Sequence, residues 1–405
     1  MKRQGPMPAL RHFRAFLAVS ETGSFTVAGA NLRRSVSAVS RSVALLEAMF
    51  EHSLLERGAA HHDLTAEGQA VALRCAIIRD ELRACRDQVL RYHGARVPES
   101  SALFAMMVDC IHLRALVVVR DFRSVQRAAN ALSVSQPAVS YSVCLLEAEV
   151  GTALFTRLPS GMIATPAGES VSLSARRILS ELARMTDDVH SAKGISSGLV
   201  CVGALAYSRS AVLPGAIRNI LVHHPEISVR TVEGHIDQLV AALHGGEVDA
   251  LLCALPDRSL LDGVDIEPFA RDRMGLFVRH GHPLAHCPSV PLAALLEYDF
   301  ILPPQGTITR KLLEGFFRSY GLPMPQGRVE TSSYSLVRAL LTGSNLIAFR
   351  TRREFAPDPT GSTVTSLDLA VPLPERDICF LRRKGAQPTA ALQTFLQIVR
   401  ETVRS

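Results

Sequence analysis

No apolar run in this 405-residue chain approaches the ~18 residues that a membrane-spanning helix needs, and the apolar stretch at 199–206 is far shorter. Near the N-terminus Arg11, His12 and Arg14 interrupt what would be the apolar region of a signal peptide. A cytoplasmic, unprocessed protein without a membrane partner is therefore expected. Eight cysteines are scattered, none in a CxxC pair, which argues against a zinc finger. They read as small buried hydrophobes in a reducing compartment. Phosphate-loop, nucleophile-elbow, zinc-protease and dinucleotide fingerprints are all missing. An enzyme would thus lack a named nucleophile, metal or cofactor loop, and neither cofactor nor metal is expected. His280, His282, His286 and Cys287 resemble a metal set only superficially, because Pro283 and Pro288 break regular geometry there.

Hydrophobic residues make up 47% and charged residues 20%, which excludes wholesale disorder or a fibrous repeat. Lysine is scarce: arginine supplies 40 of the 44 basic residues, a bias that suits bidentate phosphate and guanine contacts. The net charge is +6 and is uneven. Residues 1–93 hold 13 basic against 9 acidic side chains, residues 94–197 hold 10 against 9, and residues 198–405 hold 21 against 20. The excess in the first quarter permits a polyanionic partner.

The chain repeats itself with a period of one hundred. Residues 11–68 and 111–168 align without a gap and share 21 identities in 58 positions. Each copy reads as helix, helix, turn, helix, then a hairpin-like stretch. Phe13, Phe16, Leu17, Phe25 and Ala28 fall at helical spacing. Gly23 suits a helix end and Ser24 a cap, as does Ser124 in the second copy. Ser35 and Ser135 should cap third helices whose inward faces are Val39, Val43, Leu46 and Val139, Val143, Leu146. Pro137 falls in a first turn, where a missing N–H is tolerated. The outward faces carry Ser35, Ser37, Ser40 and Arg41 in copy one, and Ser135, Gln136, Ser140 and Tyr141 in copy two. Short hydroxyls let a helix approach a groove, Gln pairs bidentately with adenine and Arg with guanine.

Gly23-Ser24-Phe25, Val134-Ser135-Gln136-Pro137-Ala138-Val139-Ser140, Leu145-Leu146-Glu147, Leu154-Phe155-Thr156-Arg157 and Thr165-Pro166-Ala167-Gly168 occur in a specific order. In that order the chain resembles the LysR-type transcriptional regulators. The resemblance implies a winged helix-turn-helix, a long dimerising linker helix and an effector-binding domain. The helix-turn-helix cores map to 24–43 and 124–143, and the wings to about 54–65 and 154–165. DNA contacts are then expected from Arg34, Ser35, Ser37, Ser40, Arg41 and Arg57, and from Ser135, Gln136, Pro137, Ser140, Tyr141 and Arg157. The chain departs from the family pattern in having two such modules. Val36 stands where the motif has Gln, and Tyr141 where it usually has Arg, so which copy reads bases stays open. Apolar stripes at Val71, Ile77, Ile78, Leu82, Val89 and at Val171, Ile178, Leu179, Leu182, Met185, Val189 suit helix pairing. Exposed stripes are an aggregation hazard, so a homodimer or homotetramer is expected, the alternative being that the two linker helices pair within one chain.

From 198 onward short apolar runs alternate with helical stretches, an α/β signature. Expected strands are 199–204, 227–232, 250–254, 275–278, 300–302 and 346–350. The resemblance implies a two-lobed fold like periplasmic solute-binding proteins. The expected domains are a winged module with its linker at 8–93, a second at 108–193, and an effector domain at 198–405. Its lobe one is placed at 198–267 with 350–405, and lobe two at 268–349. Three strand-to-helix junctions suggest an anion site, since helix N-termini present free N–H groups. They offer Ser208, Arg209 and Ser210, then Thr307 and Thr309 with Arg310, then Ser332 and Ser333; any single Ser or Thr there reads first as an N-cap, and the three junctions together as a ligand site. The expected function is a DNA-binding regulator modulated by a small organic anion, with promoter DNA, the effector and RNA polymerase as partners. A constitutive DNA-binding protein with a vestigial sensor, or an enzyme acting on the ligand, are the alternatives.

Overall fold

The computed structural model describes residues 9–56, 61–92, 94–192, 194, 196–205, 208, 212–256, 258–355 and 363–404. The chain divides into two compact units, one dominated by residues 1–199 and one by residues 200–405.

In the first unit, α1 (Leu10–Thr22), α2 (Phe25–Leu32) and α3 (Val36–Phe50) form one three-helix core. Gly23 ends α1 in the left-handed region at φ 64, and the Ser24 hydroxyl accepts the Val27 N–H to start α2. Phe13, Phe16, Val39, Val43 and Leu46 are buried in the core. The second copy builds α5 (Cys110–Phe122), α6 (Val125–Leu132) and α7 (Gln136–Val150) in the same way, with Leu113 and Leu116 replacing the two phenylalanines. Its wing is the hairpin β1 (Phe155–Leu158) and β2 (Gly161–Ala164). Copy one has a single bridge there among the described residues, Leu55 with Leu64.

The shared Leu-Leu-Glu and Thr-x-x-Gly signatures have a physical reason. Glu47 Oε1 accepts the Leu54 N–H at 2.9 Å, and Glu147 Oε1 accepts that of Leu154 at 2.9 Å. Each pins a wing to the helix before it. Thr65 and Thr165 each accept the N–H three residues on, at 3.0 Å, which caps the following linker helix. Gly68 and Gly168 lie so close to the Leu54 and Leu154 carbonyls that an added Cβ would sit 1.9 Å from the oxygen.

The linker helices are α4 (Ala66–Tyr92) and α8 (Pro166–Ser191). They pack against each other within one chain, the alternative that sequence left open, so these stripes are covered without a partner chain. Val71, Ile78, Leu82 and Val89 meet Val171, Ile178, Leu182 and Met185 in a core continuous with both winged modules. The contacts 74 to 181 and 81 to 174 make the pair antiparallel. The turn-rich segment between the copies is packed too. Leu103, Met106 and Val108 are buried, and Arg96 N–H donates to the Gly151 carbonyl.

In the second unit the strands are β3 (Gly198–Ala204), β4 (Ile227–Glu233), β5 (Ala250–Ala254), β6 (Val264–Arg279), β7 (Phe300–Leu302), β8 (Gly327–Glu330), β9 (Ile347–Thr351), β10 (Val364–Ser366) and β11 (Glu375–Arg383). Their order is β4-β3-β5-β11-β6-β9-β7-β8, with β10 also on β6. Helices α9 (Leu213–His223), α10 (Ile236–Gly245), α11 (Ile308–Ser319), α12 (Tyr334–Gly343) and α13 (Ala390–Arg404) complete it. The long β6 joins the lobes: residues 264–273 pair with β11, and 274–277 with β9. The stretch after β9 packs with the second lobe rather than the first, because Val364 and Leu367 are buried in that lobe's clusters. Six cysteines are buried as expected, but Cys144 and Cys287 are exposed. His282 is buried, with Nδ1 accepting the Leu284 N–H and Nε2 facing the Asn345 carbonyl, so it serves the turn.

Candidate nucleic-acid interface and effector site

Ser35, Ser37, Ser40 and Arg41 are all exposed on α3 or at its cap. Ser35 Oγ accepts the Ala38 N–H at 3.3 Å and contacts Ser37 Oγ at 3.1 Å. Arg41 Nε reaches only the Ser37 carbonyl at 3.4 Å, so its guanidinium faces solvent without an acid among the described residues. Arg34 is half-buried beside His12 and Arg14. Burial first, and the Arg34 charge second, lower the Arg14 pKa from its ordinary value. Arg57 lies outside the described residues.

On α7, Ser135 caps through the Ala138 N–H at 3.4 Å, Pro137 sits in the first turn, and Gln136 and Pro137 are exposed. Ser140 is half-buried. Tyr141 is 63% exposed and meets His112 edge-on, while His112 Nδ1 faces Ser142 Oγ at 3.0 Å. Arg157 is exposed on β1.

The linker pair holds residues that sequence reasoning missed. Arg74 is fully buried; its Nη1 donates to Glu181 Oε2 at 2.5 Å and its Nε to Asp188 Oδ2 at 2.6 Å. Opposite, Ser174 Oγ donates to Glu81 Oε1 at 2.6 Å. The signal was available: Arg74 lies three residues after Val71 and four before Ile78, inside the apolar stripe.

In the second unit, Thr307 caps α11 by accepting the Arg310 N–H at 3.2 Å, and Ser333 caps α12 by accepting that of Leu336 at 3.4 Å. Both hydroxyls therefore have local structural work. Ser332 is exposed. No hydrogen bond among the described residues joins Ser332 or Ser333 to Thr307 or Thr309. Ser208 is buried and donates to the Leu205 carbonyl; Arg209 and Ser210 lie outside the described residues. Arg310 is occupied by Glu314 at 2.7 Å and is not a free cation. Thr309 Oγ1 instead accepts Arg376 Nη1 at 2.9 Å. Arg376 Nε donates to buried Asp272 at 2.8 Å, and Asp272 also accepts from Thr351 Oγ1. This network ties the start of α11 to β6, β9 and β11 where β6 changes partner. Sequence reasoning missed Arg376 and Asp272, since only the non-local β6–β11 pairing brings them together.

Comparison with known proteins follows the same division. The family model described as "Bacterial regulatory helix-turn-helix protein, lysR family" matches twice, at residues 10–69 and 111–169. The "LysR substrate binding domain" model matches residues 193–404. The HTH-type transcriptional regulator GalR of Pseudomonas putida is 32% identical over 397 residues, 98% of each chain, so both winged copies fall within the alignment. GbpR of Rhizobium radiobacter is 32% identical over 243 residues, 58% of this chain and 79% of its own. Among solved structures, CbnR, a LysR family transcriptional regulator, aligns with TM-score 0.54 at 22% identity, covering 74% of this chain and 100% of its own. A full-length OxyR variant from Pseudomonas aeruginosa aligns with TM-score 0.54 at 20% identity, over 73% of this chain and 95% of its own. Those two likenesses support the fold, with helical winged modules and a two-lobed α/β domain. With the sensor half matched to the family model and a relative aligned from end to end, the chain belongs to the LysR family of transcriptional regulators, with DNA-binding helix-turn-helix modules and an effector-binding domain.

Proposed function

We propose that α3 and α7 enter DNA grooves at a promoter, and that a small organic anion bound in the second unit modulates this binding. The single observation that carries the DNA contact is the pair of exposed, serine-capped helices with matched frames and outward Ser37, Ser40, Arg41 and Gln136, Tyr141. Arg34, Ser35 and Arg157 flank them, and Pro137 and Ser140 complete the second face. Arg57 is placed there by sequence alone. Promoter DNA is the partner, RNA polymerase the recipient of the signal, and the cytoplasm the compartment. A homodimer or homotetramer is proposed from the family, since the linker stripes are already covered within one chain.

Fluorescence anisotropy with promoter duplexes tests the reading. Log K should fall linearly with log[salt]. Arg41→Ala should weaken binding by ~1–3 kcal/mol if it meets a base or a phosphate; a neutral result would unseat copy one. For the effector, Thr307→Val removes hydroxyl and cap together, whereas Thr307→Ser keeps both. An organic acid that raises the melting temperature of the parent and Thr307→Ser, but not of Thr307→Val, supports the site. It should be recovered unchanged; turnover would favour an enzyme.

A further inference from the structure

We propose that one chain reads two unlike DNA half-sites, one through each winged module, so that its operator is asymmetric. This rests on the DNA-binding reading above and specifies the partner of that site.

Four observations converge. First, the linker pairing that presents two modules together is completed within the chain. Its contacts follow a pseudo-two-fold pattern, Arg74 to Glu181 and Ser174 to Glu81, each pair related to the other by the repeat of one hundred.

Second, the pairing is heterotypic by charge. The counterpart of Arg74 is Ser174, and the counterpart of Asp188 is Gln88. Two copies of α8 together would bury Glu181 opposite Ser174 and leave Asp188 without Arg74. Two copies of α4 would offer Gln88 where Asp188 completes the triad. Only α4 with α8 gives buried Arg74 both carboxylates, and a buried polar set of this kind is best attested as a device that selects pairing partners. The packed connector adds proximity. Leu10 N–H donates to the Val108 carbonyl and Arg96 N–H to that of Gly151, so the second module is always within reach of the first.

Third, the two frames are alike while the faces differ. Caps Ser35 and Ser135, braces Glu47 and Glu147, and the close-approach Gly68 and Gly168 hold α3 and α7 in equivalent ways. Outward, Val36 becomes Gln136, Ser37 becomes Pro137 and Arg41 becomes Tyr141. The turn before the helix changes from Arg33-Arg34 to Ser133-Val134. Guanidinium chemistry in copy one favours guanine and phosphate; the carboxamide in copy two favours adenine. Operator symmetry mirrors protein symmetry, and unlike helices require unlike half-sites. Fourth, the Pseudomonas putida relative aligns across both copies, so the two-module arrangement is not peculiar to this chain.

The test is selection of the full chain on random duplexes. The enriched motif should hold two different half-sites about 10 base pairs or a multiple apart. Arg41→Ala should erase information in one half only, and Gln136→Ala in the other. The triple variant Q136V/P137S/Y141R, which gives α7 the outward chemistry of α3, should turn the motif into an inverted repeat. All these positions are exposed, so folding is checked by an unchanged melting curve. A wild-type inverted repeat, weakened in both halves by Arg41→Ala and untouched by Gln136→Ala, would overturn the inference and leave DNA reading intact. Failure to enrich any sequence would overturn the DNA reading itself, and the inference with it.

Discussion

Arg74 shows how much a single side chain decides here. It is wholly buried between two carboxylates, and burial first, opposed by Arg74, holds the Asp188 carboxyl above its ordinary range. Arg74→Met would take the buried cation from Asp188 and Glu181, leaving Glu181 its pair with Arg184 at 3.3 Å, and breaking such a buried set costs about 3–5 kcal/mol. A urea titration should show this loss, with most of it restored in R74M/E181Q/D188N. Three imidazoles act on stability through pH. His12, His112 and His282 are all held below the ordinary histidine value, chiefly by burial. The unfolded chain then binds protons first as pH falls, so stability is full above about 6.5 and declines below it. The melting midpoint should drop between pH 7 and about 5.5; a flat profile would mean these rings are not held neutral by the fold.

At the scale of elements, each winged module is closed where its linker helix starts against the wing. The Thr cap and the glycine behind it are one device, used at 65–68 and again at 165–168. Gly168→Ala forces a methyl onto the Leu154 carbonyl, and Gly68→Ala does the same at Leu54. Overpacking of this kind costs typically ~1–3 kcal/mol. Both variants should lower the melting midpoint by similar amounts, and a clear inequality would show that the modules are not equally locked. In the second unit the matching element is β6. Its charged first half pairs with β11 and its apolar second half with β9, so one strand carries the crossing between lobes.

For the whole molecule, regulation requires a coupling free energy between effector and DNA. A value of ~1–3 kcal/mol changes DNA affinity about 5- to 150-fold, and linkage makes the effect reciprocal. Saturating promoter DNA should therefore change effector affinity by the same factor that effector changes DNA affinity. Calorimetry in both directions checks this, and unequal factors would point to an additional equilibrium such as assembly.

The amino-acid sequence by itself determined the local rules. Helix spacing, serine caps, the left-handed Gly23, the repeat and the family signature all act within a few residues or by internal comparison, so they were legible. The inward faces of α3 and α7 and the exposure of Ser37, Arg41 and Gln136 follow from the same periodicity. Tertiary structure decided what covers what. The linker stripes announced a partner but not its identity, because an amphipathic face is equally satisfied by another chain or by its own. The first half of β6 was missed in sequence: its alternation Val264-Asp265-Ile266-Glu267 stops at Pro268, Arg271, Asp272 and Arg273 follow, and it is held by β11 about a hundred residues later. For the same reason the link from Asp272 through Arg376 to Thr309 was not legible in sequence. Thr307 and Ser333 stand at helix starts, where sequence offers both a cap and a ligand group; the fold shows each capping its own helix, since an orphan N–H one turn away has the first claim on the nearest acceptor.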